Sequence, residues 1–194
     1  MQTKFPIRQL TAISLLVATA AAVRVEMNWV AFAVIPAYGL VVKIGLSETL
    51  AFTCGFVFGP IQGFITGALI IVISDMFTWA GLWTPFIAVI IGMLGLFGGI
   101  LRRFKLKPNP SILFLGITAV VLTITSQFLQ DVWFAWYMWN FYMTETPFVI
   151  VLVTSFVGGF SSTVTALVNN MVLFTAVAPR IIKVLQEWVM QKPR

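Results

Sequence analysis

The chain has 194 residues, of which 60% are apolar and only 9% are charged, and its formal net charge is +6. Soluble domains carry roughly 25% charged residues, so this composition excludes an ordinary soluble globular domain. The charged residues leave long windows without any Asp, Glu, Lys or Arg, at residues 9–23, 49–74, 76–101, 108–130 and 146–179. A bilayer core needs about 20 apolar residues in helical form, and most of these windows meet that length. The sequence therefore predicts an all-α integral membrane protein.

The residue types also exclude several chemistries. The chain has no histidine, which is the commonest metal ligand and general base. Cys54 is the only cysteine, so an internal disulfide is impossible. The sequence contains no nucleophile set, no metal-ligand spacing and no phosphate-binding Gly-rich loop with Lys. We therefore expect no enzyme activity, no metal site, no cofactor and no hydrolysis of ATP by this chain. The positive-inside rule accounts for the net charge better than binding to nucleic acid does.

The apolar windows predict six helices in chain order. They cover about residues 7–24, 47–58, 61–77, 85–101, 111–130 and 147–178. The first could instead be a cleaved signal peptide, but we favour an uncleaved helix because its small residues suit helix packing. The Gly59-Pro60 step separates the second helix from the third. Residues 25–46 are either an external, partly buried loop or the outer half of a broken second helix.

The basic residues determine the predicted orientation. With six spans, ten cations lie on the side of both termini: Lys4, Arg8, Arg102, Arg103, Lys105, Lys107, Arg180, Lys183, Lys192 and Arg194. Because positive charges stay on the cytoplasmic side, both termini are expected to be cytoplasmic. A seventh span would place the Arg102 loop on the opposite side. The prediction is a single transmembrane domain over residues 1–194.

The same orientation collects acids and tryptophans at the outer end. The acids there are Glu26, Glu48, Asp75, Asp131 and Glu145, and the tryptophans are Trp29, Trp79, Trp83, Trp133, Trp136 and Trp139. Aromatic belts normally populate both membrane interfaces. This one-sided accumulation exceeds what anchoring requires, and it favours a ligand site at the outer end.

The candidate binding residues combine flat aromatic surfaces with polar groups, as ligand pockets do. They are Trp133, Trp136, Tyr137, Trp139, Asn140, Asp131, Gln127, Asp75, Trp79, Trp83, Asn169 and Asn170. For each class a structural alternative stays open. The aromatic residues could be interfacial anchors, Asp75 could be a helix-end residue, and the Asn169-Asn170 pair could make an interhelical hydrogen bond.

A stripe of small residues marks the first helix. Ser14, Ala18 and Ala22 recur every fourth residue, a spacing that allows close helix approach in lipid. The stripe indicates either packing within the bundle or contact with another subunit.

Together these features resemble the substrate-binding subunits (S components) of energy-coupling factor transporters, the prokaryotic vitamin importers. The segment Gly55–Ala68 is similar to that family's Gly-Pro turn between helices 2 and 3, and Asp75 follows where the family has an acid. Ala18 and Ala22 match its small-residue motif on helix 1. The ending Ala178–Lys183 resembles its short basic C-terminus. The segment that departs from the pattern is the unusually apolar first external loop.

The resemblance implies a six-helix bundle in a prokaryotic cell membrane that captures a vitamin from outside. It further implies a membrane coupling subunit, contacted by Ser14, Ala18 and Ala22, and two ATPase subunits. The leading hypothesis is the capture subunit of an importer for a small aromatic vitamin. The outer acids disfavour polyanionic cargo, and thiamine-like, flavin-like, biotin-like and deazapurine-like ligands stay open. The alternative is a membrane scaffold subunit without a small ligand.

Overall fold

The computed structural model of the chain describes residues 7–34, 45–104 and 110–190. These residues form helices and contain no strand, which confirms the all-α prediction. The helices are α1 (Ile7–Val34), α2 (Leu46–Phe58), α3 (Pro60–Phe77), α4 (Trp83–Arg103), α5 (Ile112–Phe141), α6 (Phe148–Val172) and α7 (Ala178–Met190). A π-helical turn, Leu173–Val177, joins α6 to α7 without a break. The described residues therefore contain six continuous helical segments.

Five of these segments are long and apolar enough to cross a bilayer. The exception is α2, which has 13 residues and a length of about 20 Å. It lies against α3 and α4, and most of its side chains are buried. A multi-pass membrane protein follows from these lengths and from the apolar composition.

Two helices extend beyond their predicted ends. α1 continues past Arg24 to Val34, and α5 continues past Gln130 to Phe141. Neither extension contains Gly or Pro, so nothing in the local sequence ends the helix. The predicted external loop 25–46 is therefore helical in its first part, and residues 35–44 lie outside the described residues.

The last helix does not end near Ala178 as predicted. A proline lacks an N–H and its ring collides with the carbonyl group four residues earlier. The π-helical turn directly before Pro179 accommodates this, with Ala178 N–H donating to the carbonyl of Leu173, five residues earlier. The chain then continues as α7, which buries Ile182 and Leu185 and exposes Lys183.

Glycines bring α2, α3 and α4 into close contact. Gly59, with φ of 121°, forms the turn that reverses the chain between α2 and α3. A Cβ atom on Gly55 or Gly63 would collide with the backbone of Gly95 on α4. These three helices form the tightly packed part of the bundle.

Two sets of contacts define the ends of the bundle. At one end, Gly99 near the end of α4 lies against Pro60 at the start of α3. We call this the inner end, because α1 begins and the exposed Arg102 and Arg103 lie there. At the opposite, outer end, Arg24 of α1 reaches Asp75 at the end of α3.

Candidate ligand-binding site

A cavity of about 420 Å³ opens among the outer halves of α4, α5 and α6. Its lining residues are Trp83, Ile87, Gln127, Gln130, Asp131, Trp133, Phe134, Tyr137 and Ser162. Cavities that bind drug-sized ligands have volumes of about 300 to 1,000 Å³. Five of the predicted binding residues therefore meet at one cavity of suitable size: Trp83, Gln127, Asp131, Trp133 and Tyr137.

The helical period of α5 explains why so many lining residues come from one helix. Side chains three or four positions apart lie on the same helix face. Gln127, Asp131 and Phe134 follow this spacing, and Trp133 and Tyr137 form the adjacent row. The other described residues that line the cavity lie at the start of α4 and in the middle of α6.

Aromatic side chains line one side of the cavity, at Trp83, Trp133, Phe134 and Tyr137. Phe86 and Trp136 stack on Trp133 without lining the cavity themselves. The ring of Trp133 stacks on Phe86 of α4, with centroids 4.1 Å apart and planes 10° apart. Trp136 stacks on Trp133 at 4.8 Å, and Trp83 meets Tyr137 edge to face at 6.4 Å. Phe86 was not among the predicted residues, because one Phe in an apolar helix carries no distinguishing signal.

The indole N–H of Trp133 has an unusual environment. Its Nε1 atom is buried, and no described residue accepts a hydrogen bond from it. Buried donors in native proteins nearly always have a partner, and each exception requires an explanation. Trp133 lines the cavity, but its Nε1 atom has almost no accessible surface, so a ligand carbonyl group would reach this N–H only after neighbouring side chains move.

Asp131 is the acidic residue of the cavity lining. Among the described residues that line the cavity, no other side chain except the phenol of Tyr137 is ionisable. Its carboxylate lies against α6 at Gly159, and Ser162 lines the cavity one turn further along α6. Gln127 lies deeper in the bundle, with only 2% of its surface exposed.

Asp75 was predicted as a binding residue, but it does not line this cavity. It is buried, and Arg24 donates to its Oδ1 over 2.6 Å. Thr84 donates to Oδ2 over 2.7 Å. Both carboxylate oxygens therefore join helices at the outer end, which matches a structural role.

Four predicted residues near the outer end also lie outside the cavity. Trp79 is 55% exposed and Trp136 is 42% exposed. Trp139 donates from Nε1 to the carbonyl of Thr146 over 3.0 Å and so fastens the turn between α5 and α6. Asn140 donates to the carbonyl of Trp136 over 2.8 Å within α5.

The two asparagines of α6 differ in position. Asn170 is buried, and its Nδ2 donates to Thr123 Oγ1 of α5 over 2.8 Å. This bond is the interhelical alternative that the sequence left open. Asn169 is half-buried, and neither asparagine lines the cavity.

The small-residue stripe of α1 faces outward. Ser14, Ala18 and Ala22 are all exposed. Ala18 and Ala22 border a depression between α1 and α3 that Ile73 and Phe77 complete. Within this chain the stripe therefore leaves a surface open instead of joining two helices closely.

One comparison with known proteins identifies a family. The family model described as ECF-type riboflavin transporter, S component, matches residues 4–179, which is nearly the whole chain. No curated protein and no solved structure matched the chain.

Proposed function

We propose that the outer cavity captures riboflavin or a closely related flavin, because the chain belongs to the ECF-type riboflavin transporter S component family. Membership of the family makes the chain the substrate-binding component of an ECF transporter, and not itself an enzyme. It also favours the importer hypothesis over a scaffold subunit without a ligand. The identity of the ligand and its binding in the outer cavity are the parts that we propose.

The observation that carries the proposal is the cavity of about 420 Å³ with its aromatic lining, one residue of which, Trp133, has a buried indole N–H without a described acceptor. A flavin has a flat tricyclic ring with carbonyl groups at one edge. Such a ring stacks on aromatic side chains, and a ring carbonyl would accept the Trp133 hydrogen bond once neighbouring side chains move to expose Nε1. Asp131 and Ser162 would bond the polar groups of the ligand that donate hydrogen bonds.

Delivery to the inner side requires partners. We propose that a membrane coupling subunit docks on the exposed stripe of Ser14, Ala18 and Ala22, and that two ATPase subunits supply the energy. The depression beside Ala18 and Ala22 would accept side chains from a partner helix. The cell membrane of a prokaryote is the proposed location.

Trp133→Phe tests the ligand site. It keeps an aromatic ring but removes the buried N–H, so riboflavin affinity should fall about threefold to tenfold, the equivalent of one ordinary hydrogen bond. Quenching of flavin fluorescence by the purified protein in detergent would measure the dissociation constant. Trp188→Phe is the matched control, because Trp188 lies on α7, away from the cavity. Wild-type protein that leaves flavin fluorescence unchanged would rule out the proposed ligand.

Ala18→Leu tests the docking stripe. The larger side chain should obstruct a partner helix, and a steric cost of about 1.4 kcal/mol would weaken docking tenfold. Riboflavin uptake by cells should therefore fall, while riboflavin binding by the isolated chain stays normal. Thr19→Leu is the control, since Thr19 is exposed next to Ala18 but lies outside the stripe. Equal uptake by both variants would contradict the assignment of this surface.

A further inference from the structure

Two adjacent glycines on α6 have different surroundings. A Cβ atom on Gly159 would lie 2.7 Å from Oδ1 of Asp131 and 3.0 Å from its Oδ2. A Cβ atom on Gly158 would have nothing within 4 Å. The absence of a side chain at Gly159 thus provides the space that the Asp131 carboxylate occupies.

This space determines where the carboxylate lies. Asp131 projects from α5 and lines the cavity, while Gly159 lies on the facing surface of α6. Ser162 lines the cavity three residues after Gly159, so both positions lie on one side of α6. A methyl group at Gly159 would displace the carboxylate from the contact between α5 and α6. The displacement requires only rotation of a flexible side chain, so the helices need not separate.

The position of this carboxylate has a chemical consequence. Asp131 is half-buried and lines the cavity, and a carboxylate that is ionised only accepts hydrogen bonds. Asp131 therefore favours ligand groups that donate N–H or O–H and disfavours a ligand phosphate. A neutral flavin has an imide N–H and hydroxyl groups, whereas flavin mononucleotide carries a phosphate.

We infer that Gly159 is a positioning residue for ligand specificity, which holds the Asp131 carboxylate where it selects neutral flavin over phosphorylated flavin. The inference rests on the proposed function. Its chemical basis is that placing like charges together discriminates against the wrong ligand. Gly159 itself needs no contact with the ligand.

The experiment compares Gly159→Ala with Gly158→Ala in the full chain. Dissociation constants for riboflavin and for flavin mononucleotide would be measured by flavin fluorescence. Gly158→Ala should leave both constants within about twofold of wild type, because its methyl group meets no atom. Gly159→Ala should weaken riboflavin binding about tenfold, which corresponds to one charge-assisted hydrogen bond. It should also reduce the ratio between the two affinities.

A double-mutant cycle separates positioning from general damage. In an Asp131→Asn background no carboxylate remains to be positioned, so Gly159→Ala should then change the affinity ratio little. Asp131→Asn alone should reduce the preference for riboflavin over flavin mononucleotide about tenfold. This single variant tests the role of the carboxylate in specificity even if Gly159→Ala fails to fold.

Wild-type protein that binds no riboflavin would contradict the proposed function itself. Wild-type binding together with equal effects of the two glycine variants, or an unchanged affinity ratio in Asp131→Asn, would overturn the positioning role alone.

Discussion

Gly55→Ala is expected to destabilise the folded bundle by about 3 kcal/mol or more, at the upper end of overpacking effects. The three heavy atoms nearest to the added Cβ all belong to the backbone of α4, at Gly95 and Gly99. No rotamer change relieves a clash with backbone, so α2 and α4 must move apart. Thermal unfolding of the purified protein in detergent, followed by tryptophan fluorescence, would measure the loss.

Gly116→Ala is the matched control for this prediction. Gly116 also lies inside a helix, but its added Cβ would meet only Thr175 Cγ2 at 3.6 Å, an ordinary van der Waals distance. Alanine favours helix formation over glycine by about 0.5 to 1 kcal/mol. The control should therefore be neutral or slightly stabilising. Equal melting temperatures for the two variants would show that α2 and α4 are not in close contact at Gly55.

The sequence predicted the part of the cavity that depends on local periodicity. Residues spaced at three and four along α5 lie on one face whatever the rest of the fold does. Gln127, Asp131, Trp133 and Tyr137 were predicted as part of a cluster of aromatic and polar residues, and they meet at the cavity because this spacing places them on one side of α5. The helical class and the Gly59 turn were predictable for the same reason, since composition and backbone geometry act locally.

Contacts between distant segments were not predictable from the sequence. Arg24 and Asp75 are 51 residues apart, and no spacing rule relates them. Gly159 carries no pattern of its own, since its importance comes from a carboxylate on another helix. The last helix was predicted to end at residue 178, whereas the π-helical turn before Pro179 allows it to continue as α7. In each case tertiary contacts or a backbone irregularity overrode the local signal.

Hydrogen bonds link the Arg24–Asp75 pair, at the outer end of the bundle, to the start of α4, which lines the cavity. Thr84 donates to Asp75, and the Gly81 N–H donates to Thr84 Oγ1 over 3.1 Å. These bonds fix the turn from which α4 begins. Trp83, the neighbour of Thr84, lines the cavity. A loss of the ion pair should therefore affect both stability and the aromatic wall.

Arg24→Leu should destabilise the protein by about 3 kcal/mol and weaken riboflavin binding. Removing one partner of a buried ion pair leaves an uncompensated charge, which typically costs about 3 to 5 kcal/mol. We expect the low end, because Arg24 keeps 24% of its side chain exposed, while Asp75 keeps only 3%. Thermal unfolding and flavin fluorescence would measure the two effects.

The double variant Arg24→Leu/Asp75→Leu identifies the cause. Apolar replacement of both members of a buried ion pair is often close to neutral, so the double variant should regain most of the stability lost in Arg24→Leu. Lys183→Leu removes an exposed cation from α7 and should change stability by less than about 0.5 kcal/mol. Should the double variant be no more stable than Arg24→Leu, the loss would come from missing contacts of the arginine side chain. The unpaired carboxylate at the end of α3 would then not be its source.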